Sequence, residues 1–159
     1  MKNKKESFKY NPVFTTLIAK SNQSGFDNMK KRILVVDDEE PIQELIKVYL
    51  SPLNVEIYSA FTGEDALKMY EEMMYMGKKP DIVVMDLKLP GIDGIETIRR
   101  LLKIDPEALI YGFTAFSNSV WASRMLRAGA RKVIPRSMGF TGLRDVIQEA
   151  IMRRSVLIQ

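Results

Sequence analysis

The chain has 159 residues, 46% of them apolar, enough for one sizeable core and too few for a second folded domain beside it. It contains neither cysteine nor histidine, which excludes disulfides, thiolate and zinc sites, a Ser-His triad and a histidine phosphoacceptor, and agrees with a reducing cytoplasm. The net charge of +4 is local: residues 1–30 hold six lysines against two acids, so of 24 basic and 20 acidic residues the rest of the chain keeps 18 of each, and no nucleic-acid surface is expected.

Residues 1–29 are rich in Lys, Asn and Ser, and their apolar patch at Val13, Phe14, Leu17 and Ile18 is shorter than a secretory or membrane segment. This stretch is expected to be a flexible or weakly docked N-terminal extension, with Met29 as an alternative native start. A regular pattern begins after it. Ile33 to Val36 is a continuous apolar run, followed by Asp37-Asp38-Glu39-Glu40 and by Pro41, a residue suited to the first helical position. Ile42, Leu45, Ile46, Tyr49 and Leu50 give that first helix one apolar face, and Ser51-Pro52 ends it.

Val55 to Tyr58 alternates apolar and polar, as an edge strand does. Thr62 with Asp65 forms a capping box ahead of a helix carrying Ala66, Leu67, Tyr70, Met73 and Met74, the methionines as core filler. Ile82 to Met85 is a short apolar run after Pro80 and reads as a buried strand that delivers Asp86 to its carboxyl end. Asp93, with Glu96 three residues on, caps a third helix with Ile95, Ile98, Leu101 and Leu102 inward, stopped by Asp105-Pro106. Ala108 to Phe113 is a further buried strand ending at Thr114-Ala115, and nothing in the sequence accounts for its Gly112.

Ser119 to Ala128 reads as a helix closed by Gly129, its stripe divided between Trp121/Met125/Ala128 and Ala122/Leu126. Lys132 to Ile134 is a short strand before Pro135, and Thr141 is expected to cap a last helix facing inward with Leu143, Val146, Ile147, Ala150 and Ile151. Five strands alternating with five helices predict an α/β, doubly wound, five-stranded parallel sheet. The alternating strand at Val55 and the Pro-flanked one at Val133 suit its edges, which gives the flavodoxin-like order 2-1-3-4-5.

That order brings Asp37, Asp38, Asp86, Thr114 and Arg136 to the carboxyl edge of the sheet, around the switch point. Three carboxylates gathered there repel one another, and with oxygen ligands and no His or Cys the counter-ion expected is Mg²⁺. An Asp facing solvent beside Mg²⁺ suits phosphoryl transfer with the carboxylate as nucleophile, while a hydroxyl from Thr114 and the cation of Arg136 hold the transferred oxygens. The acidic run alone would equally serve as the favourable start of a helix.

The stretches Ile33-Leu34-Val35-Val36-Asp37-Asp38-Glu39, Val84-Met85-Asp86-Leu87-Lys88-Leu89-Pro90-Gly91-Ile92-Asp93-Gly94, Phe113-Thr114-Ala115 and Ala128-Gly129-Ala130 resemble the receiver domain of two-component response regulators, of the single-domain chemotaxis-regulator kind. The resemblance covers about residues 30–153, leaving 154–159 as a tail. It implies that Asp86 accepts phosphate from a histidine kinase or histidine phosphotransfer protein. It further implies that Asp38, Asp86 and the backbone carbonyl of Lys88 bind Mg²⁺, with Asp37 acting through water, and that Thr114 swings toward the phosphate. Such a cytoplasmic signalling protein promotes only its own phosphorylation and dephosphorylation.

Several positions depart from that pattern. Arg136 stands where the family has its Lys, Ser137 replaces the following Pro, and Val133 takes the place of an aromatic switch. Lys88 and Phe116, two residues beyond Asp86 and Thr114, are expected to alter access for an attacking water. These departures sustain a second reading, a pseudo-receiver acting as a phosphorylation-independent interaction module. A small-molecule phosphatase is the weakest reading, for want of a second acid in Asp-x-Asp form. Arg124, Arg127, Arg131, Lys132 and Arg136 mark the fourth helix and fifth strand as an expected homodimer or target surface. The chain is expected to be either a stand-alone receiver or a piece of a longer regulator.

Overall fold

A computed structural model of the chain describes residues 30–157; the expected extension at 1–29 lies outside them. The elements are β1 (Lys31–Val36), α1 (Glu40–Leu50), a short 3₁₀ turn (Ser51–Leu53), β2 (Val55–Ala60), α2 (Gly63–Tyr75), β3 (Ile82–Met85), α3 (Gly94–Ile104), β4 (Ile110–Thr114), α4 (Ser119–Ala128), β5 (Lys132–Pro135), a second 3₁₀ turn (Arg136–Met138) and α5 (Gly139–Leu157). The strands form one parallel sheet in the order β2-β1-β3-β4-β5, so the flavodoxin-like architecture and both edge assignments hold.

Alternation along the strands divides the core into two layers. Ile33, Val35, Ile82, Val84, Tyr111, Phe113 and Ile134 face α1 and α5, where they meet Ile46, Leu50, Leu143, Ile147 and Ala150. The intervening residues face α2, α3 and α4, and there Gly112 finds its reason. A Cβ on Gly112 would stand 2.9 Å from Met125 Cε and 3.3 Å from a Val133 methyl, so the glycine makes room for the buried Met125. The divided stripe of α4 is thereby decided: Met125 is buried and Leu126 is 47% exposed.

Thr62 and Asp93 cap α2 and α3 as expected, accepting from the Asp65 and Glu96 backbone N–H groups, and Asn118 caps α4. Four expectations need correction. Leu45 is exposed, and Gln43 is the buried polar member of the α1 face. Pro41 falls in the first turn of a helix that already starts at Glu40. Thr141 lies inside α5, which begins at Gly139 directly after the 3₁₀ turn and so needs no Thr cap, and that helix runs on to Leu157 through part of the expected tail. Met74 is 40% exposed, unlike the core residue Met73.

Candidate functional site

Strands β1 and β3 are neighbours in register, with Val36 beside Met85, so the residues that follow them, Asp37 and Asp86, leave the sheet side by side. Asp86 donates its backbone N–H to the Val36 carbonyl, and Asp37 donates to that of Ala60. The chain is pinned to its neighbouring strand on the last step before each carboxylate. Oxygen atoms of Asp37, Asp38 and Asp86 lie within 4.8 Å of one another, the first and third residues buried and Asp38 exposed. At that distance two ionised carboxylates repel by about 3 kcal/mol at an effective dielectric of about 20.

Each acid is steadied differently. Asp37 Oδ1 accepts the Glu39 backbone N–H at 2.9 Å, and its Oδ2 accepts from Arg136 Nη2 at 2.8 Å. Burial outweighs these donors, and with the Asp86 charge nearby the Asp37 carboxyl is pushed up to about 6. Asp86 Oδ1 accepts the Leu87 backbone N–H at 2.8 Å. Burial raises its pKa as well, while the Thr114 hydroxyl, the Leu87 N–H and Arg136 pull it back and the Asp38 charge adds to the rise. Asp86 thus has few fixed donors, and an oxygen of the exposed Asp38 lies within 4.8 Å of its carboxylate.

Arg136 reaches the cluster from the turn after β5. Besides Asp37, its guanidinium stands 3.6 Å from Glu39 and 4.0 Å from Asp86, donates to the Phe113 carbonyl at 3.5 Å, and covers the Phe113 ring at 5.0 Å. A Lys could not make this fork or stack in the same way. Thr114, fully buried, accepts the Phe116 backbone N–H at 3.1 Å. The Lys88 ammonium lies over the Phe116 ring at 4.0 Å, so the two residues expected to govern access meet as a cation–π pair. Gly94 closes the loop after Asp86: its N–H donates to the Leu87 carbonyl at 2.7 Å, and it packs against the Asp86 carbonyl where a Cβ would not fit.

All the side chains expected at the site therefore gather at one sheet edge. Three participants were not anticipated: Glu39 as a partner of Arg136, Gln43 beneath β1, and Glu64, whose Oε1 accepts the Ile92 N–H at 3.1 Å and steadies the loop beyond Asp86. Only Gln43 left a trace in the sequence, being three residues before Ile46 and seven before Leu50 on the buried face. The donor set of three carboxylates offset by one guanidinium suits a hard divalent cation.

A family model for the response regulator receiver domain matches residues 33–148. This chain belongs to that family. The receiver is 34% identical over 107 residues to chemotaxis protein CheY from Thermotoga maritima, covering 67% of this chain and 85% of that protein. It is 31% identical over 120 residues to response regulator GacA from Pseudomonas aeruginosa, covering 74% of this chain and 54% of that protein. The receiver thus spans about half the length of the latter relative. Among solved structures, a CheY-like receiver domain from Methanospirillum hungatei superposes with a TM-score of 0.70 at 25% identity, covering 79% of this chain and 97% of that one. Response regulator TrrA from Thermotoga maritima, solved with Mg²⁺ and BeF, gives 0.64 at 35% identity, covering 76% and 98%. Among the described residues of the receiver, no helix is long and apolar enough to cross a membrane.

Proposed function

We propose that Asp86 accepts a phosphoryl group from a phosphohistidine of a histidine kinase or histidine phosphotransfer protein, and that the receiver passes the change to a partner. An Asp86 carboxylate oxygen forms the new bond to phosphorus as the donor's P–N bond breaks, and the imidazole nitrogen keeps the electron pair and takes up a proton. Asp38, Asp86 and the backbone carbonyl of Lys88 would hold Mg²⁺ directly, with Asp37 through water. When bound, the cation offsets the charge of the transferring group and of the carboxylates around it. Thr114 and Arg136 would donate to the phosphoryl oxygens, and water would later hydrolyse the aspartyl phosphate past Lys88 and Phe116. A cytoplasmic place goes with such a donor, and the receiver unit is taken as residues 30–153.

The observation that carries this reading is the meeting of Asp37, Asp38 and Asp86 within 4.8 Å at the ends of β1 and β3, beside the buried Thr114. Its test is incubation with Mg²⁺ and phosphoramidate or acetyl phosphate, followed by intact-mass measurement. A gain of one phosphoryl group that disappears in Asp86→Asn is expected; no gain with any donor would sink the proposal. A second reading, the phosphorylation-independent interaction module, draws on Arg136, whose guanidinium already stands 2.8 Å from Asp37 and 4.0 Å from Asp86 and supplies an internal cation. On that reading the unmodified receiver binds its target and Mg²⁺ leaves its spectrum unchanged.

The output surface we favour is α4 with β5, where Arg124, Arg127, Arg131 and Lys132 are exposed and Arg124 rests on the Trp121 ring at 5.0 Å. It serves either a homodimer or a separate target. Charge reversal at Arg124 and Arg131 should weaken that association and leave phosphorylation of Asp86 unchanged.

A further inference from the structure

Gln43 sits in α1 with 1% of its surface exposed. Its Nε2 lies 3.2 Å from the Val35 carbonyl, 3.1 Å from that of Asp37 and 3.0 Å from that of Ala60. The Ala60 carbonyl also receives the Asp37 N–H, so one side-chain amide ties together the ends of β1 and β2 and the backbone of Asp37. The Gln43 Oε1 is buried with no hydrogen-bond partner. A Leu or Met of similar size would fill this volume without stranding an acceptor, so packing does not account for the amide; the three carbonyls it reaches around the ends of β1 and β2 do.

The consequence falls on Asp37. Its N–H donates to Ala60, its carbonyl accepts from Gln43, and its two carboxylate oxygens accept from Glu39 and Arg136, so every polar atom of the residue is held by the protein. Asp38 follows on the same peptide. We propose that Gln43 is a positioning residue for this acidic pair: by holding the Asp37 carbonyl it sets how both carboxylates are presented to a divalent cation, without touching the cation or the phosphoryl group. This inference rests on the reading of the site given above.

Titration calorimetry with Mg²⁺ on the unphosphorylated protein tests it, comparing the wild type, Gln43→Met and, as a control destabilised elsewhere in the core, Leu143→Ala. Loss of an outer-shell partner should weaken Mg²⁺ binding about tenfold in Gln43→Met, with the control staying within about twofold of the wild type. Equal affinity in Gln43→Met and the wild type would overturn the inference, as would a matching loss in Leu143→Ala. Failure of the wild type itself to bind Mg²⁺ would instead overturn the reading of the site, and the inference with it. Should Gln43→Met not fold, the wild type still decides: the Gln43 side-chain amide resonances should shift during a Mg²⁺ titration with the midpoint of the Asp38 backbone amide, and unmoved resonances would refute the role.

Discussion

Asp37 pays for its burial in protons. An unfolded Asp ionises near 3.8, whereas in the folded protein burial holds the proton to about 6 despite the donors from Glu39 and Arg136. Between about pH 4 and pH 6 the unfolded chain has therefore already lost a proton that the folded chain keeps. Stability from this group is full below about 4, falls as pH rises through about 6, and is absent at neutrality. Asn cannot ionise. Asp37→Asn, studied without divalent cations, should thus gain on the wild type by about 2 kcal/mol between pH 4.5 and pH 7. Urea denaturation at the two pH values measures this, and an unchanged gap would show that Asp37 does not carry the raised pKa. The same proton stands against a cation, so Mg²⁺ affinity in the wild type should rise over this range, with proton release visible as a buffer-dependent heat of binding.

At the level of elements, Gly112 shows how one helix residue shapes a strand. Alanine there brings a Cβ within 2.9 Å of Met125 Cε, the far end of a flexible side chain, and within 3.3 Å of Val133. Met125 can shift, so Gly112→Ala should destabilise by about 1–2 kcal/mol and not abolish folding. Shortening the intruding side chain in Gly112→Ala/Met125→Val should recover part of the loss, and urea denaturation of the wild type, the two single variants and the double variant checks it; purely additive losses would refute the contact. This packing lies between residues 13 positions apart in different elements, which is why periodicity could not reveal it. The alternation of elements, the edge strands and the caps at Thr62 and Asp93 were legible because each depends on nearby residues. Leu45 was misread because its spacing fits the apolar stripe, while Gln43, which takes the inward place, is polar in sequence and useful only once β1 and β2 offer their carbonyls. The acidic cluster was legible from topology alone, whereas the reach of Arg136 across to Glu39 depends on the 3₁₀ turn after β5.

Across the molecule the two ends of the sheet do different work. The carboxyl end gathers several acids around the single guanidinium of Arg136, and the amino end holds one acid with donors of its own: Asp105, 4% exposed, accepts from Tyr70 Oη at 2.6 Å, Lys79 Nζ at 3.0 Å and the Glu107 N–H at 3.0 Å. Burial raises the pKa of Asp105, but Tyr70, Lys79 and Glu107 together outweigh it and the net shift is downward. Its stabilising effect is therefore present above the unfolded value of 3.8 and is lost as pH falls through the lower folded one, the reverse of Asp37. The bond from the buried Tyr70 carries most of this, since Lys79 is 43% exposed and its charge is screened. Asp105→Asn should cost about 2 kcal/mol at pH 7, and the penalty should shrink below about pH 4. Because Asp105 joins α2, the approach to β3 and the end of α3 at the edge of the sheet away from Asp86, the rate of Asp86 phosphorylation by a small donor should stay within about twofold of the wild type while the protein remains folded. Urea denaturation and single-turnover phosphorylation of the same preparations measure both. A rate that falls in step with stability would mean that the acidic cluster draws its geometry from the whole sheet, including its far edge, and not only from the strand ends that hold it.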